Sequence, residues 1–283
     1  MAIKDPAIVK KIVRTNFDRS ADLYEQFEQK YGLFKHLTIN LAQLCNIRQG
    51  MRVCDVGTGT GTSSFVLQEI VGAEGLVYGV DFSEKMLEIA QIKLNRTKNT
   101  NIKFILSDAD ELEANIRFKV DSVLYNASIF IIPNPSKTLQ SAHRILTEDG
   151  TVGMNYLLGL YDVDDSEIQE SKSRNKGLFL LPKQAGKKFA PYGRQIVNVK
   201  TLPEILKNVG FRNIKQGIIS KKMSLDEMKA FYGIPAQSAA LWPKNKYEER
   251  LKLLDALVEY FEEININTHY QYWGWCKGQL IQD

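Results

Sequence analysis

Apolar positions along the chain follow two rhythms. Between residues 6 and 44 they recur at helical spacing, and Phe17, Tyr24, Phe27 and Tyr31 form an aromatic stripe. Asp5-Pro6 marks a helix start, and residues 33–44 read as a further helix. From residue 52 the pattern changes to short apolar runs. Residues 52–56, 76–80, 101–106, 120–125 and 151–157 read as strands, with a turn at Glu148-Asp149-Gly150 before the last. Helices fall between them at 62–70, after Ser83 (a fair N-cap), and at 138–146; another spans 201–209 with Thr201 as its expected cap. Strand and helix in alternation predict an α/β domain with a doubly wound sheet. Gly210-Phe211 leads into a sixth strand, and residues 268–280 alternate in part as a seventh, with Trp273 and Trp275 on one face.

Two stretches exceed what such a sheet needs. Residues 159–200 start acidic and become basic through Lys172–Arg194, and they carry Tyr161, Phe179, Phe189 and Tyr192. Residues 224–264 are helical and include Phe231, Tyr232, Leu241, Trp242 and an amphipathic run over 247–261. Long insertions of this kind serve as lids or binding loops, so a lid shaping an apolar pocket is expected. The alternatives are a solvated loop for the first, and a packing layer or a dimer face for the second.

Composition narrows the class without naming a partner. At 283 residues, 44% hydrophobic and 25% charged, the chain is an ordinary globular protein with ample core. A net charge of +4 neither demands nor excludes nucleic acid. Cys45, Cys54 and Cys276 have no zinc-type spacing, so reduced thiols and no metal are expected. Lys4, Asp5, Lys10 and Lys11 break any leading apolar run, and no stretch is long enough to span a bilayer. A cytoplasmic protein is expected, as a monomer or a homodimer.

The candidate chemistry lies in residues 52–81, RVCDVGTGTGTSSFVLQEIVGAEGLVYGVD. Gly57, Gly59 and Gly61 let the backbone turn sharply and approach a ligand that a Cβ would exclude. The turn opens into a helix whose free N–H groups face that ligand. A dinucleotide site wants G-x-G-x-x-G, but Thr62 stands where that pattern places its last glycine or alanine. Asp55, two residues before the first glycine, would repel a pyrophosphate and suits a ligand with a cationic end.

The pattern D-x-G-x-G-x-G, followed by an acid closing the next strand, resembles the class I methyltransferases that use S-adenosylmethionine. The resemblance implies a Rossmann-like seven-stranded sheet whose last strand is antiparallel. It implies a helical N-terminal cap over residues 1–46 and a methyltransferase core over 47–283, with lid insertions at about 159–200 and 224–264. In that family the acid before the glycines, here Asp55, faces the methionine end of the cofactor beside Gly57, Thr58, Gly59 and Gly61. Asp81 would hold the ribose hydroxyls, and Phe82 and Met86 would flank the adenine. Asp108 with Ala109 would meet the adenine amino group and ring, with Asp110 as the alternative acid. Asn126-Ala127-Ser128 with Ile131, Ile132, Pro133 and Asn134 resembles the loop after the fourth strand of small quinone- and carboxylate-type enzymes, and the resemblance counts Asn126 among the cofactor-binding residues. It lacks the N-P-P-Y signature of enzymes that methylate exocyclic amines of bases in DNA, which argues against that nucleic-acid class. The leader Phe17, Arg19, Ala21, Tyr24 resembles that of quinone- and biotin-pathway methyltransferases.

Methyl transfer from a sulfonium needs alignment more than acid–base groups. His36, His143 and His269 fall on none of these loops, so no base is assigned. Tyr24, Tyr156, Tyr192 and Trp242 are candidates for the pocket of a small organic acceptor. The expected products are a methylated acceptor and S-adenosylhomocysteine. Methylation of protein or RNA and a non-catalytic cofactor-binding role are the alternatives, with a nicotinamide-dependent oxidoreductase a distant one.

Overall fold

The computed structural model describes residues 5–97, 101–158 and 197–281. Seven strands form one sheet: β1 (Arg52–Val56), β2 (Leu76–Asp81), β3 (Ile102–Leu106), β4 (Val120–Tyr125), β5 (Leu146–Leu157), β6 (Phe211–Ser224) and β7 (Thr268–Leu280). Their order is β3-β2-β1-β4-β5-β7-β6. The first five pair in parallel, and β7 runs antiparallel between β5 and β6. The order reverses between β1 and β4, so the C-terminal ends of these strands flank the crevice where ligands of open α/β sheets bind.

Three helices precede the sheet, α1 (Pro6–Asp18), α2 (Ala21–Tyr31) and α3 (Leu33–Leu44). The Asp5 side chain caps α1 by accepting from the Ala7 N–H, and Gly32 closes α2 at φ 62°. Crossover helices α4 (Thr62–Val71), α5 (Glu84–Asn95), the single turn α6 (Leu112–Asn115) and α7 (Pro135–Ile145) cover the two faces. Period-two alternation splits β1 between two cores. Val53 packs with Leu41, Leu67 and Val77, while Cys54 and Val56 pack with Tyr125, Leu139 and Met154.

Boundaries differ from expectation in three places. Helix α7 starts at Pro135, because the Asn134 side chain accepts from the Lys137 N–H and proline suits the first turn. Strand β5 starts at Leu146 and passes through the expected turn, where Asp149 has φ 64° and the β4 register shifts. Helix α8 (Thr201–Val209) is not capped by Thr201. Asn198 accepts from the Lys200 and Thr201 N–H groups instead.

Between β6 and β7 lie α9 (Leu225–Gly233), α10 (Pro235–Leu241) and α11 (Tyr247–Glu263). They pack on α2 and α3 through Phe27, Leu37, Phe231, Leu257 and Trp273. Phe27 and Phe231 meet edge-on with centroids 5.5 Å apart. Among the described residues this second insertion is a packing layer that clamps the leader to the sheet.

Candidate active site

One cavity opens at the C-terminal ends of β1, β2 and β4, with about 950 Å³ of empty space counting its open mouth. Its floor is the glycine turn. The N–H groups of Gly57 and Thr58 both donate to the Val80 carbonyl, at 2.7 and 3.0 Å. Gly57, Gly59 and Gly61 all have positive φ, the region that only glycine enters freely. At Gly57 (φ 77°) a Cβ would fall 2.5 Å from Ser128 Cβ, so a larger residue is excluded by contact as well as by conformation. At Gly59 a Cβ would meet only the Met86 sulfur, 4.0 Å away.

Asp81 ties the turn to the second strand. One carboxylate oxygen accepts from the Gly59 N–H and the other from the Ser83 N–H, both at 2.8 Å. Burial pushes its carboxyl up to about 6, partly offset by those backbone bonds and helped by the charge of Asp18. Asp55 does not reach the cavity wall. It is fully buried under the turn, where one oxygen accepts from Ser64 Oγ at 2.8 Å and the other has no partner. Burial raises it to about 6 as well, against the hydroxyls of Thr58 and Ser64 that hold it down. An uncompensated carboxylate oxygen under a bend that a Cβ would fill matches a ligand that carries positive charge.

The remaining predicted residues divide. Phe82, Met86, Asp108 and Ala109 line the cavity at the β2–β3 side. Asp110 does not; its carboxyl is turned into the protein, and of the two candidate acids only Asp108 is on the wall. Asn126 is on the wall, but its amide is engaged by the scaffold. Its nitrogen donates to Thr38 Oγ1, Ser63 Oγ and the Phe34 carbonyl, and its oxygen accepts from Asn155. Tyr24 lies on the wall stacked on Phe34, with centroids 4.7 Å apart and rings 12° from parallel. Burial, with the charges of Glu28 and Asp81, holds its phenol well above the usual range.

Two predicted pocket residues are elsewhere. Tyr156 is fully buried in the sheet core, with its ring against Gly274 of β7. Trp242 is 1% exposed in the layer that joins α9–α11 to the leader, and none of those helices supplies a wall residue. Both are large aromatics whose apolar area is better removed from water in a core than at a ligand. Tyr192 lies outside the described residues, as does nearly all of the insertion at 159–200. The leader stripe also splits: Phe17 and Tyr24 face the cavity, while Phe27 and Tyr31 pack with the helical layer.

Lys10, Val13 and Phe34 join the wall without having been foreseen. Lys10, Val13 and Phe17 share one face of α1 at i, i+3 and i+7, so a lysine interrupting an apolar stripe was the available signal. None of the three histidines lines the cavity. His36 is exposed, His143 packs edge-on against Phe211, and His269 is buried, its ring held down to about 4 by burial.

Among curated proteins, the chain is 31% identical over 124 residues to protein-L-isoaspartate O-methyltransferase of Methanothrix thermoacetophila, covering 44% of this chain and 59% of the relative. It is 29% identical over 136 residues to demethylmenaquinone methyltransferase of Geobacillus kaustophilus, covering 47% and 58%. The chain thus spans less than two thirds of the length of these relatives. Its fold is that of Haemonchus contortus phosphoethanolamine N-methyltransferase 2, solved with phosphomonomethylethanolamine and S-adenosylhomocysteine: TM-score 0.52, 18% identity, covering 87% of this chain and 52% of that one. Residues 47–210 match the family model described as a methyltransferase domain. That match takes in more than half of the chain, which therefore belongs to the methyltransferase domain family.

Proposed function

We propose that the chain methylates a small organic acceptor against the apolar part of this cavity's wall. The observation that carries the proposal is the make-up of the cavity wall, which joins a polar set to an apolar one. Asp81, Asp108 and the glycine turn form the polar set, and Tyr24, Phe34, Ala127, Ile131, Ile132 and Pro133 the apolar one. The polar set fits S-adenosylmethionine as cofactor, with Asp81 toward the ribose, Asp108 toward the adenine amine, and Phe82 and Met86 against the ring. Asp55 would act from below, through the turn that Ser64 and Thr58 join to it. On this reading the described helices of the leader, α1 to α3, act as a cap over the core that begins at residue 47.

When bound, the cofactor supplies a methyl group already activated by a cationic sulfur. The chain's own residues then align and exclude water, effects that together account for roughly 7–11 kcal/mol of a barrier. The polar side chains of the acceptor part are committed: Asn126 to α3, α4 and Asn155, and Ser128 Oγ to the Val56 carbonyl at 2.6 Å. Tyr24 stays protonated, so it can donate a hydrogen bond but carries no proton in the reaction. The wall carboxylates, Asp81 and Asp108, belong to the part read as the cofactor's, and among the described residues of the acceptor part no group is left as a general base, so on this reading the acceptor arrives ionised or is activated by its own structure. A carboxylate, a thiolate or an acidic enol meets that requirement. Similarity to a demethylmenaquinone methyltransferase supports a small acceptor. Similarity to a protein-L-isoaspartate O-methyltransferase supports a second reading, a carboxylate on a protein.

Three reduced, buried cysteines suit a cytoplasmic setting. No described helix is long and apolar enough to cross a membrane. Calorimetric titration with S-adenosylhomocysteine tests the cofactor part. The acceptor part is tested by turnover on a panel of acidic small acceptors against an isoaspartyl peptide. Turnover on the peptide alone would replace the small-molecule reading.

A further inference from the structure

Lys10 stands where two spaces meet. It lines the cofactor cavity, and it also lines a shallow groove on the outer side of α1. That groove is walled by Lys11, Arg14 and Leu106, and it shares Phe82, Ser107 and Asp108 with the cavity. An ion pair stands among the residues that the two spaces share. Lys10 Nζ bonds Asp108 Oδ2 and Asp110 Oδ2, each at 2.6 Å.

The two carboxylates differ in setting. Asp108 is on the cavity wall with its side chain 34% exposed, and its second oxygen accepts from the Asp110 N–H at 2.9 Å. Asp110 lines neither space, its side chain is 4% exposed, and its next cation, Lys137, is 3.8 Å away. Lys10 therefore has one anchor that a ligand amine can claim and one that no cavity ligand touches. The far end of α1 is held separately, where Ser83 Oγ donates to Asp18 at 2.6 Å. Helix α1 is thus held by polar contacts near both ends, and the contact at Lys10 is the one among residues that line both spaces.

We infer that Lys10 gates the cofactor cavity: its bridge to Asp108 and Asp110 shuts the passage from the outer groove, and the cofactor enters and leaves when that bridge opens. The inference rests on the reading of this cavity as the cofactor site. A partly exposed pair of this kind holds without locking, because solvent and salt compete with it. Burial alone would lower the Lys10 ammonium, but its bonds to Asp108 and Asp110 outweigh that and raise it, so the bridge stays charged at neutral pH.

A gate changes rates more than affinity, since an open passage speeds entry and exit alike. Surface plasmon resonance with S-adenosylhomocysteine measures both on the wild-type chain and on Lys10→Met, Asp110→Asn and the double variant. Both single variants should raise the association and dissociation rate constants together, by about three- to tenfold for a pair of this exposure. The dissociation constant should move far less, and the double variant should gain nothing further. Raising salt from 0.05 to 0.5 M, roughly from 14 to 4 Å of screening length, should accelerate exchange in the wild type and not in Lys10→Met. Unchanged rates in both single variants would overturn the gate. So would a rise in dissociation alone, which would make Lys10 a simple ligand contact. No binding by the wild type would instead overturn the cofactor reading beneath it.

Discussion

Replacing Gly57 by alanine tests the turn on which the site is built. Two costs apply. A Cβ residue at φ 77° loses about 1–2 kcal/mol to backbone strain. The new carbon would also sit 2.5 Å from Ser128 Cβ, where carbon atoms pack at about 3.5–4.0 Å. Ser128 cannot simply yield, because its hydroxyl donates to the Val56 carbonyl at 2.6 Å. Overpacking of this sort costs about 1–3 kcal/mol, so the two terms together reach roughly 2–5 kcal/mol. For a chain of this size that lowers the melting temperature by roughly 5–15 °C. Gly32→Ala is the control, since Gly32 has φ 62° but nothing within 4 Å of its missing Cβ. It should show the strain alone. Ser128→Gly in the Gly57→Ala background removes the opposing carbon, so the double variant should be less destabilised than the sum of the two singles. Urea unfolding followed by circular dichroism gives the energies, and titration with S-adenosylhomocysteine gives the state of the turn. If Gly57→Ala melts with Gly32→Ala, or if Ser128→Gly brings no relief, the contact argument is wrong.

Other outcomes follow from the same geometry. Asp55 and Asp81 are raised from 3.8 to about 6, so the folded state binds more protons than the unfolded state between these values. The contribution of these two groups to stability therefore falls as pH rises from about 4 to about 6, and is flat above. A cationic ligand favours their ionised forms, so the preference for S-adenosylmethionine over S-adenosylhomocysteine should grow across that window in calorimetry; a pH-independent ratio would refute it. Tyr24→Phe should keep kcat within about threefold, because the phenol carries no proton in the reaction, whereas a loss of about a hundredfold would make it an acid–base group. Trp242→Ala should cost about 3–5 kcal/mol of stability in urea while leaving cofactor affinity unchanged, since the ring is buried and does not line the cavity.

The strand–turn–helix unit was legible because its signals are local. The limits of β1 at Arg52 and Val56 follow from one apolar run against Gly57, and Ser83 accepts from the Met86 N–H as its N-cap position implied. Lys10 was not legible, because its partners lie 98 and 100 residues away and leave no periodic trace. Tyr156 and Trp242 show a different limit. Sequence marks a large aromatic beside an insertion as apolar, but the same apolarity serves a core and a pocket alike. At β5, Glu148-Asp149-Gly150 read as a turn because it bends like one; β4 resumes pairing beyond it through a shifted register, which only the neighbouring strand can enforce.

Two parts of the chain build the cavity wall, and this separates what can vary: the stretch matched by the family model supplies the glycine turn together with Ala127, Ile131, Ile132 and Pro133, and the leader supplies Tyr24 and Phe34. The cofactor part is fixed by contacts within the stretch matched by the family model: Asp81 to Gly59 and Ser83, and Val80 to Gly57 and Thr58. Tyr24 and Phe34, in the acceptor part, come from helices outside that match. Their support is the layer built by α9–α11, through Phe27 on Phe231 and the Ala236 N–H donating to Ser20 Oγ at 2.9 Å. Damage to that layer should therefore loosen the acceptor wall while sparing the glycine turn. Trp242→Ala should raise the KM for an acceptor more than that for S-adenosylmethionine. An equal rise in both would mean that the layer supports the cavity as one body, and that acceptor choice is not set by the leader.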